Sequence, residues 1–208
     1  MFNSIQEARL ELIRSVARFC AAAALTEPAV KGDLAWGNNV PYVETKFLDD
    51  PQMLLRLADW MKEYGREHRQ PIWLREAALI ERLDAVLLVG LKHGSPPMLD
   101  CGACGFATCA EFVEATRQRL AAHEEAFDFG GPQCTLRSIT LGIAIASTIE
   151  VARLHGLVTH CDAGIAIAAR KLGLIEAEAA IALVMTQAKP GSDDTAIPAF
   201  AVNDGEQW

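Results

Sequence analysis

The sequence predicts an α+β fold that is rich in helix and has a small central sheet. Long segments carry apolar residues at helical spacing, and short apolar runs rich in β-branched residues end at turn signals. The chain has 208 residues, of which 51% are hydrophobic and 22% charged. These values suit one globular domain with a sizeable core, with or without an inserted subdomain.

Helix signals begin at Ser4, which together with Glu7 forms a capping-box pattern. Pro51 opens a second helix, because proline is preorganised for the first helical turn. Gly173 ends a later helix. Apolar spacing and these signals predict helices over 5–25, 51–69, 74–82, 110–122, 136–154 and 163–172, with one more helical turn over 176–180.

Strands are expected where apolar runs are short and bounded by turn residues. The run at 84–90 is apolar after Asp84, ends in Gly90 and predicts a strand buried on both faces. Weaker signals predict strands over 42–47, 157–160 and 181–186. The segment 28–42 carries glycines and asparagines and predicts a loop.

The helix at 136–154 is expected to be buried almost all round, because apolar residues occur on nearly every side of it. Its small residues would let another helix approach closely: Gly142, Ala144, Ala146 and Ser147. Its most apolar part, 139–149, is too short to cross a bilayer about 30 Å thick. We therefore expect a core helix and no membrane.

The net charge of −8 argues against nucleic acid, since phosphate binding needs a basic face and no Lys or Arg run supplies one. The first residues lack a basic segment followed by an apolar one, so no secretory signal is predicted. A cytoplasmic location is expected. The negative charge suits docking on a basic redox partner, although ordinary solubility is the better explanation of it.

Six cysteines are present, and Cys101, Cys104 and Cys109 lie within nine residues. A large chain without a secretory signal is a poor candidate for a disulfide framework. Cys134 follows after 24 further residues, directly behind a Gly-Gly-Pro-Gln break. The spacing Cys-x2-Cys-x4-Cys therefore needs a chemical explanation.

Thiolates on one tight loop can converge on an iron–sulfur cluster, with backbone amides directed at its sulfurs. Gly102 and Gly105 permit the close turns, and the dipole of the helix after Cys109 favours an anion. Structural zinc is the alternative, but it favours paired knuckles and often histidine, and only His93 and His123 lie nearby. Free thiols are the third possibility.

The fourth ligand is either Cys134 or Cys161, and we favour Cys134 because it lies in the same insert. Cys161 is more often a core filler at a strand end, and Cys20 lies on the apolar face of the first helix. The predicted metal ligands are thus Cys101, Cys104, Cys109 and Cys134. No nucleophile–base–orienter set is evident, so catalytic residues stay unassigned; His155, His160 and Asp162 are the only candidates.

Three segments resemble a family of proteins known as containing a ferredoxin-type domain: 100–109, 131–134 and 141–146. The cysteine loop is also similar to the four-iron segment of corrinoid iron–sulfur proteins. These resemblances imply one [4Fe–4S] cluster. The predicted organisation is N-terminal helices and a first core strand at 1–91, a cluster insert at 92–134, the remaining core helix and strand at 135–190, and a tail at 191–208.

The segments 141–157 and 172–174, with a final strand, resemble the C-terminal half of nitroreductases. That resemblance implies a homodimer joined through the long helix, with FMN at the interface. The arginine-rich phosphate motif of nitroreductases is not evident, because Arg14 to Arg18 lie inside a helix. Lys31 and Gly32 lie in the loop that would contact flavin; a solvated lysine is the alternative.

The expected function is an iron–sulfur redox protein, either an electron carrier or a small oxidoreductase, with FMN as a second candidate cofactor and a redox protein as partner. The alternative is a structural or oxidant-sensing cluster protein without electron transfer. A zinc-stabilised adaptor is the third hypothesis.

Overall fold

A computed structural model describes residues 4–26, 42–92, 96–121 and 129–187. Its helices are α1 (Ile5–Thr26), α2 (Pro51–Glu67), α3 (Pro71–Ile80), α4 (Cys109–Ala121), α5 (Thr135–Leu154) and α6 (Ala163–Lys171). Its strands are β1 (Val43–Leu48), β2 (Ala85–Leu91), β3 (Leu157–Asp162) and β4 (Ala179–Gln187). The predicted α+β class, helix-rich with a small sheet, is confirmed.

The four strands form one antiparallel sheet in the order β1-β2-β4-β3. Leu91, the last residue of β2, lies opposite Val43 on one side and Ala179 on the other. Every residue of β2 is buried, as the apolar run that follows Asp84 predicts. β2 and β4 are therefore the centre of the fold, and β1 and β3 are its edges.

Helices cover both faces of the sheet and produce two cores. On one face α2, α3 and α6 pack over side chains such as Val86, Leu88 and Val184. On the other face α1 and α5 pack over Leu87, Val89 and Leu183. Successive residues of a strand point to opposite faces, so β2 contributes to both cores in turn. The result is a helix–sheet–helix sandwich.

Local signals place the helix starts. Asp50 caps α2, because its carboxylate accepts a hydrogen bond from the Gln52 amide at 3.0 Å. Asp162 caps α6 by accepting from the Ile165 amide at 2.7 Å. Ser4 accepts from the Glu7 amide at 3.1 Å, as the capping-box pattern predicts. The predicted loop at 28–42 lies almost wholly outside the described residues.

The helical turn predicted over 176–180 is wrong. These residues lead into β4 in extended form, and the Glu178 amide donates to the Leu91 carbonyl at 2.7 Å. The Glu176 amide points to the Glu44 carboxylate at 3.2 Å. Pairing with β2 and its neighbours thus overrides the helical propensity of a short Ala- and Glu-rich segment.

Helix α5 is also less buried than predicted. One side of the helix packs into the core through Leu141, Ala144 and Thr148. On the other side, Ile139 is 56% exposed and Ile143 is 41% exposed. α1 and the sheet cover only one side of it. The whole of α5 has 20 residues and is longer than its most apolar part, 139–149. By length and composition it could cross a membrane, but core helices of soluble proteins pass the same test.

Candidate metal centre

The cysteine loop connects β2 to α4 and has an unusual backbone. Gly102 and Gly105 have φ values of 72° and 89°, in the region that glycine adopts without strain. Met98 and Asp100 also have positive φ, at 57° and 47°. Non-glycine residues pay a conformational cost there and persist only where surrounding contacts hold them, a situation frequent at functional sites. The Gly105 amide donates to the Gly102 carbonyl at 3.0 Å, which closes the turn between the first two cysteines.

Asp100 holds the two ends of this loop together. Its carboxylate accepts a hydrogen bond from the Cys109 amide at 2.6 Å, across nine residues. Thr108 accepts from the Glu111 amide at 3.2 Å and so caps α4, while Glu111 accepts from the Ala107 amide at 3.1 Å. Cys101 and Cys109 are thereby kept on one compact piece of backbone.

The chain brings Cys134 to this loop from a distance. Cys134 is the N-cap residue of α5 and is only 4% exposed. The hydroxyl of the next residue, Thr135, donates to the carbonyl oxygen of Ala103 at 2.9 Å. Ala103 lies between Cys101 and Cys104. The start of α5 is therefore in direct contact with the middle of the cysteine loop.

The end of β2 anchors the other side of the insert. The Gly130 amide donates to the Glu178 carbonyl, and the Glu178 amide donates to the Leu91 carbonyl, both at 2.7 Å. A side chain at Gly130 would lie 3.1 Å from the Glu178 Cβ, so the approach is close. Gln133 Nε2 donates to the Gly130 carbonyl at 2.7 Å. The turn before Cys134 is thus attached to the central strands.

The four predicted ligands differ in exposure. Cys109 and Cys134 are buried, Cys104 is half-buried and Cys101 is exposed. Within residues 4–26, 42–92, 96–121 and 129–187, no three His, Cys, Asp or Glu side chains converge on a point that a single ion would occupy. The donor set on this insert is all thiol and surrounds the starts of α4 and α5, whose dipoles favour an anion. That chemistry fits an iron–sulfur cluster, which cysteine thiolates hold.

The other cysteines lie elsewhere. Cys20 is fully buried between α1 and α5, with its Sγ 3.4 Å from the Thr148 carbonyl, and burial raises the pKa of its thiol to about 11. Cys161 lies opposite Leu183 on edge strand β3. It is exposed, so its prediction as a core filler is wrong; an edge strand leaves its outward side chains to solvent. Partial burial, and then Asp162, raise the pKa of the Cys161 thiol.

The candidate catalytic residues do not form one group. His155 follows α5 and stacks on Phe19, with ring centroids 5.4 Å apart. His160 and Asp162 lie on the same face near the opposite end of β3, where Asp162 caps α6. Arg14 and Arg18 lie inside α1, as predicted. His93, His123, Lys31 and Gly32 lie outside the described residues.

Sequence reasoning did not identify Asp100 and Thr135, the two side chains that join the cysteine segments. The signal that could have found them is position: each is a short hydrogen-bonding residue directly beside a cysteine, where such side chains often bond to nearby backbone.

Three solved structures match this chain at low sequence identity and with TM-scores below 0.5. Nitroreductase A from Vibrio parahaemolyticus matches with a TM-score of 0.47 and 13% identity, over 94% of this chain and 67% of that one. The NADPH:FMN oxidoreductase from Vibrio harveyi, solved with NAD+, matches with a TM-score of 0.45 and 15% identity, over 93% and 68%. The hypothetical oxidoreductase YcnD from Bacillus subtilis matches with a TM-score of 0.45 and 15% identity, over 95% and 66%.

Sequence comparisons cover the same cysteine segments. Residues 97–125 match a family model described as "Putative Fe-S cluster", and residues 130–190 match that of the uncharacterised proteins containing a ferredoxin domain. A protein of Archaeoglobus fulgidus is 33% identical over 168 residues, which are 81% of this chain and 83% of that protein. The chain is an iron–sulfur protein and belongs to the family of uncharacterised proteins containing a ferredoxin domain.

Proposed function

We propose that this chain holds one [4Fe–4S] cluster through Cys101, Cys104, Cys109 and Cys134 and uses it to transfer electrons. The observation that carries the ligand set is the hydrogen bond from Thr135 to the Ala103 carbonyl, 2.9 Å long. It sets the residue after Cys134 against the loop that holds the other three cysteines. Cys161 lies instead in the β3–β4 ladder, opposite Leu183.

The cysteines that would bind the cluster differ in solvent exposure, and this favours electron exchange on the side of the exposed cysteine. A bound [4Fe–4S] cluster supplies reversible one-electron chemistry. Cys109 and Cys134 lie in the protein interior, where water is excluded and the cluster is protected. Cys101 is exposed and offers the short route from cluster to surface. The hydrogen bonds of Asp100 and Thr135 keep the loop in one conformation.

The surface chemistry of the insert supports a basic redox partner. The insert at 92–134 contains six Asp or Glu against one Lys and two Arg, a net charge of −3 out of the −8 of the chain. Met98 and Leu99 are 65% and 62% exposed beside the cysteine loop. Exposed apolar residues in a segment of net negative charge suit weak, transient docking, in which opposite charge steers the encounter.

The test of the ligand set is anaerobic purification followed by iron, sulfide and flavin analysis. We expect about four iron and four sulfide per chain and broad absorption near 400 nm, as sulfide-bridged iron gives. Cys134→Ser should lose most of the iron, whereas Cys161→Ser, the matched control, should keep it. Loss of iron in Cys161→Ser alone, or anaerobic protein without sulfide, would contradict the proposal.

Electron transfer needs its own measurement, because an oxidant-sensing or structural cluster would have the same composition. Reversible one-electron reduction in a dithionite or electrode titration supports the redox function. A cluster that cannot be reduced reversibly and is lost in air supports the sensing alternative. Zinc in place of iron supports the adaptor.

We propose that α5 joins two copies of the chain. Ile139, Gly142, Ile143 and Ala146 form an exposed stripe of apolar and small residues at helical spacing. A side chain at Gly142 would meet nothing within 4 Å. A two-fold axis on such a stripe is self-complementary, and small residues let the helices approach closely. Light scattering should give twice the chain mass for the native protein and a monomer for Ile143→Glu, while Ile5→Glu, the control at a 90% exposed site, stays dimeric.

Flavin is proposed as a second cofactor on the sequence resemblance alone. The flavin analysis of the same anaerobic sample tests it: about one FMN per chain supports it, and flavin-free protein with a full cluster contradicts it.

A further inference from the structure

A cleft lies between helix α1 and edge strand β1. Its volume is about 370 Å³, and it is lined by Arg14, Ala17, Arg18, Ala21, Thr45, Phe47, Asp49 and Leu87. These residues belong to α1, β1, β2 and the residue after β1, and none of the described residues of the cluster insert lines the cleft. The size is that of a small-molecule site.

The floor of the cleft is apolar. Ala17 and Leu87 are buried, at 2% and 1% exposure, and the partly buried Phe47 ring forms a wall. The cleft exists because α1 has alanines at positions 17 and 21, one turn apart, where it faces β1. Small side chains leave space that larger ones would fill, and an aromatic wall favours a flat ligand that stacks against it.

Two arginines line the rim of the cleft, and they differ in their partners among the described residues. Arg14 is already neutralised, because its Nε donates to Asp49 Oδ2 at 2.6 Å and its Nη1 lies 3.9 Å from Glu11. This contact with Asp49 raises the pKa of the Arg14 guanidinium. Arg18, one turn further along, makes no ion pair with any residue in the part of the chain that the structure describes. A guanidinium without an ion pair among those residues matches one carboxylate, which it binds through two parallel hydrogen bonds.

We infer that this cleft binds a flat aromatic monocarboxylate, with the ring against Phe47 and Ala21 and the carboxylate on Arg18. A dianion such as phosphate fits less well, since Asp49 stands on the same rim and cancels the second arginine. The site is independent of the cluster and of the proposed electron transfer.

Titration calorimetry with the purified holoprotein tests this inference, using naphthalene-2-carboxylate and its neutral carboxamide as probes. We expect the carboxylate to bind about tenfold more tightly than the carboxamide, as a charge-assisted hydrogen-bond pair supplies. Arg18→Gln should remove that preference and leave carboxamide binding within about twofold. Arg56→Gln, an exposed arginine on α2 across the sheet, is the matched control and should change neither affinity.

Filling the cleft separates binding there from binding elsewhere. Ala21→Leu fills the cleft from the helix, and Thr45→Leu fills it from the strand. Each variant should abolish binding of the carboxylate and of the carboxamide, and one folded variant is sufficient for the test. Unchanged binding in a folded, filled variant, or equal affinity for carboxylate and carboxamide in the native chain, would overturn the inference. Iron content is measured in the same samples, so loss of the cluster is recognised separately.

Discussion

Glu76 offers the sharpest test of the electrostatics of this fold. Its carboxyl group lies against the first turn of α6: a Cβ built on Gly164 would be 2.2 Å from Glu76 Oε2 and 3.3 Å from Asp162 Oδ1. Burial, and then the neighbouring Asp162, raise the pKa of Glu76 from 4.5 to about 7, against the opposing effect of Arg75. Burial likewise raises the pKa of Asp162, which His160 and two backbone amides oppose.

The change to make is Glu76→Gln, which keeps the shape and removes the ionisation. A folded-state pKa above the unfolded one means that the folded chain holds the proton more tightly. The stabilising contribution of protonated Glu76 to the unfolding free energy is therefore fully present below about pH 4.5. It is lost as the pH rises to about 7, because the buried carboxyl group ionises. The rise in the pKa of Glu76 corresponds to about 3.4 kcal/mol of unfolding free energy. Because Glu76 is only half-buried, we expect the unfolding free energy to fall by about 1–2 kcal/mol.

Urea unfolding followed by circular dichroism at several pH values gives the measurement. Glu76→Gln should exceed the native chain in unfolding free energy by about 1–2 kcal/mol at pH 8, and the difference should vanish near pH 4.5. Glu67→Gln, at an exposed position near the end of α2, is the control and should show no pH-dependent difference. A Glu76→Gln chain that is less stable than the native chain at pH 8 would refute this reasoning.

Three further predictions concern the anchor of the insert and its loop. Gly90→Ala should lower the unfolding free energy by about 2 kcal/mol, because its Cβ would lie 2.4 Å from that of Ala177; thermal melting checks this, and an unchanged melting temperature contradicts it. Asp100→Ala should reduce the iron content of the purified protein, because it removes the acceptor of the Cys109 amide. Asp100→Asn keeps an acceptor and tolerates positive φ, so it should retain iron. Equal iron in both variants would refute the role of Asp100 in holding the loop. Thr135→Val should speed loss of the cluster to a chelator by several-fold relative to Thr135→Ser, which keeps the hydroxyl; equal rates would show that the contact does not hold the loop.

Local sequence signals predicted the elements well because each is a short-range effect. Asp50 with Pro51 and Ser4 with Glu7 start helices by bonds within a few residues. The all-apolar run of β2 predicted burial on both faces, which two helical layers provide. The helical turn predicted at 176–180 is wrong because a long-range contact decides the structure there. The Glu178 amide donates to the Leu91 carbonyl, which is remote in sequence.

The sequence by itself determined the cluster chemistry of this protein: the number of thiols, their spacing and the glycines between them are local properties of one loop. It also favoured Cys134 as the fourth ligand. Only the tertiary structure decided what joins that residue to the loop and where Cys161 lies. The hydrogen bonds of Thr135 and Asp100 span 32 and 9 residues, and β3 carries Cys161 along a sheet edge. Such contacts depend on where α5 and β2 come to lie, which no short window of sequence contains.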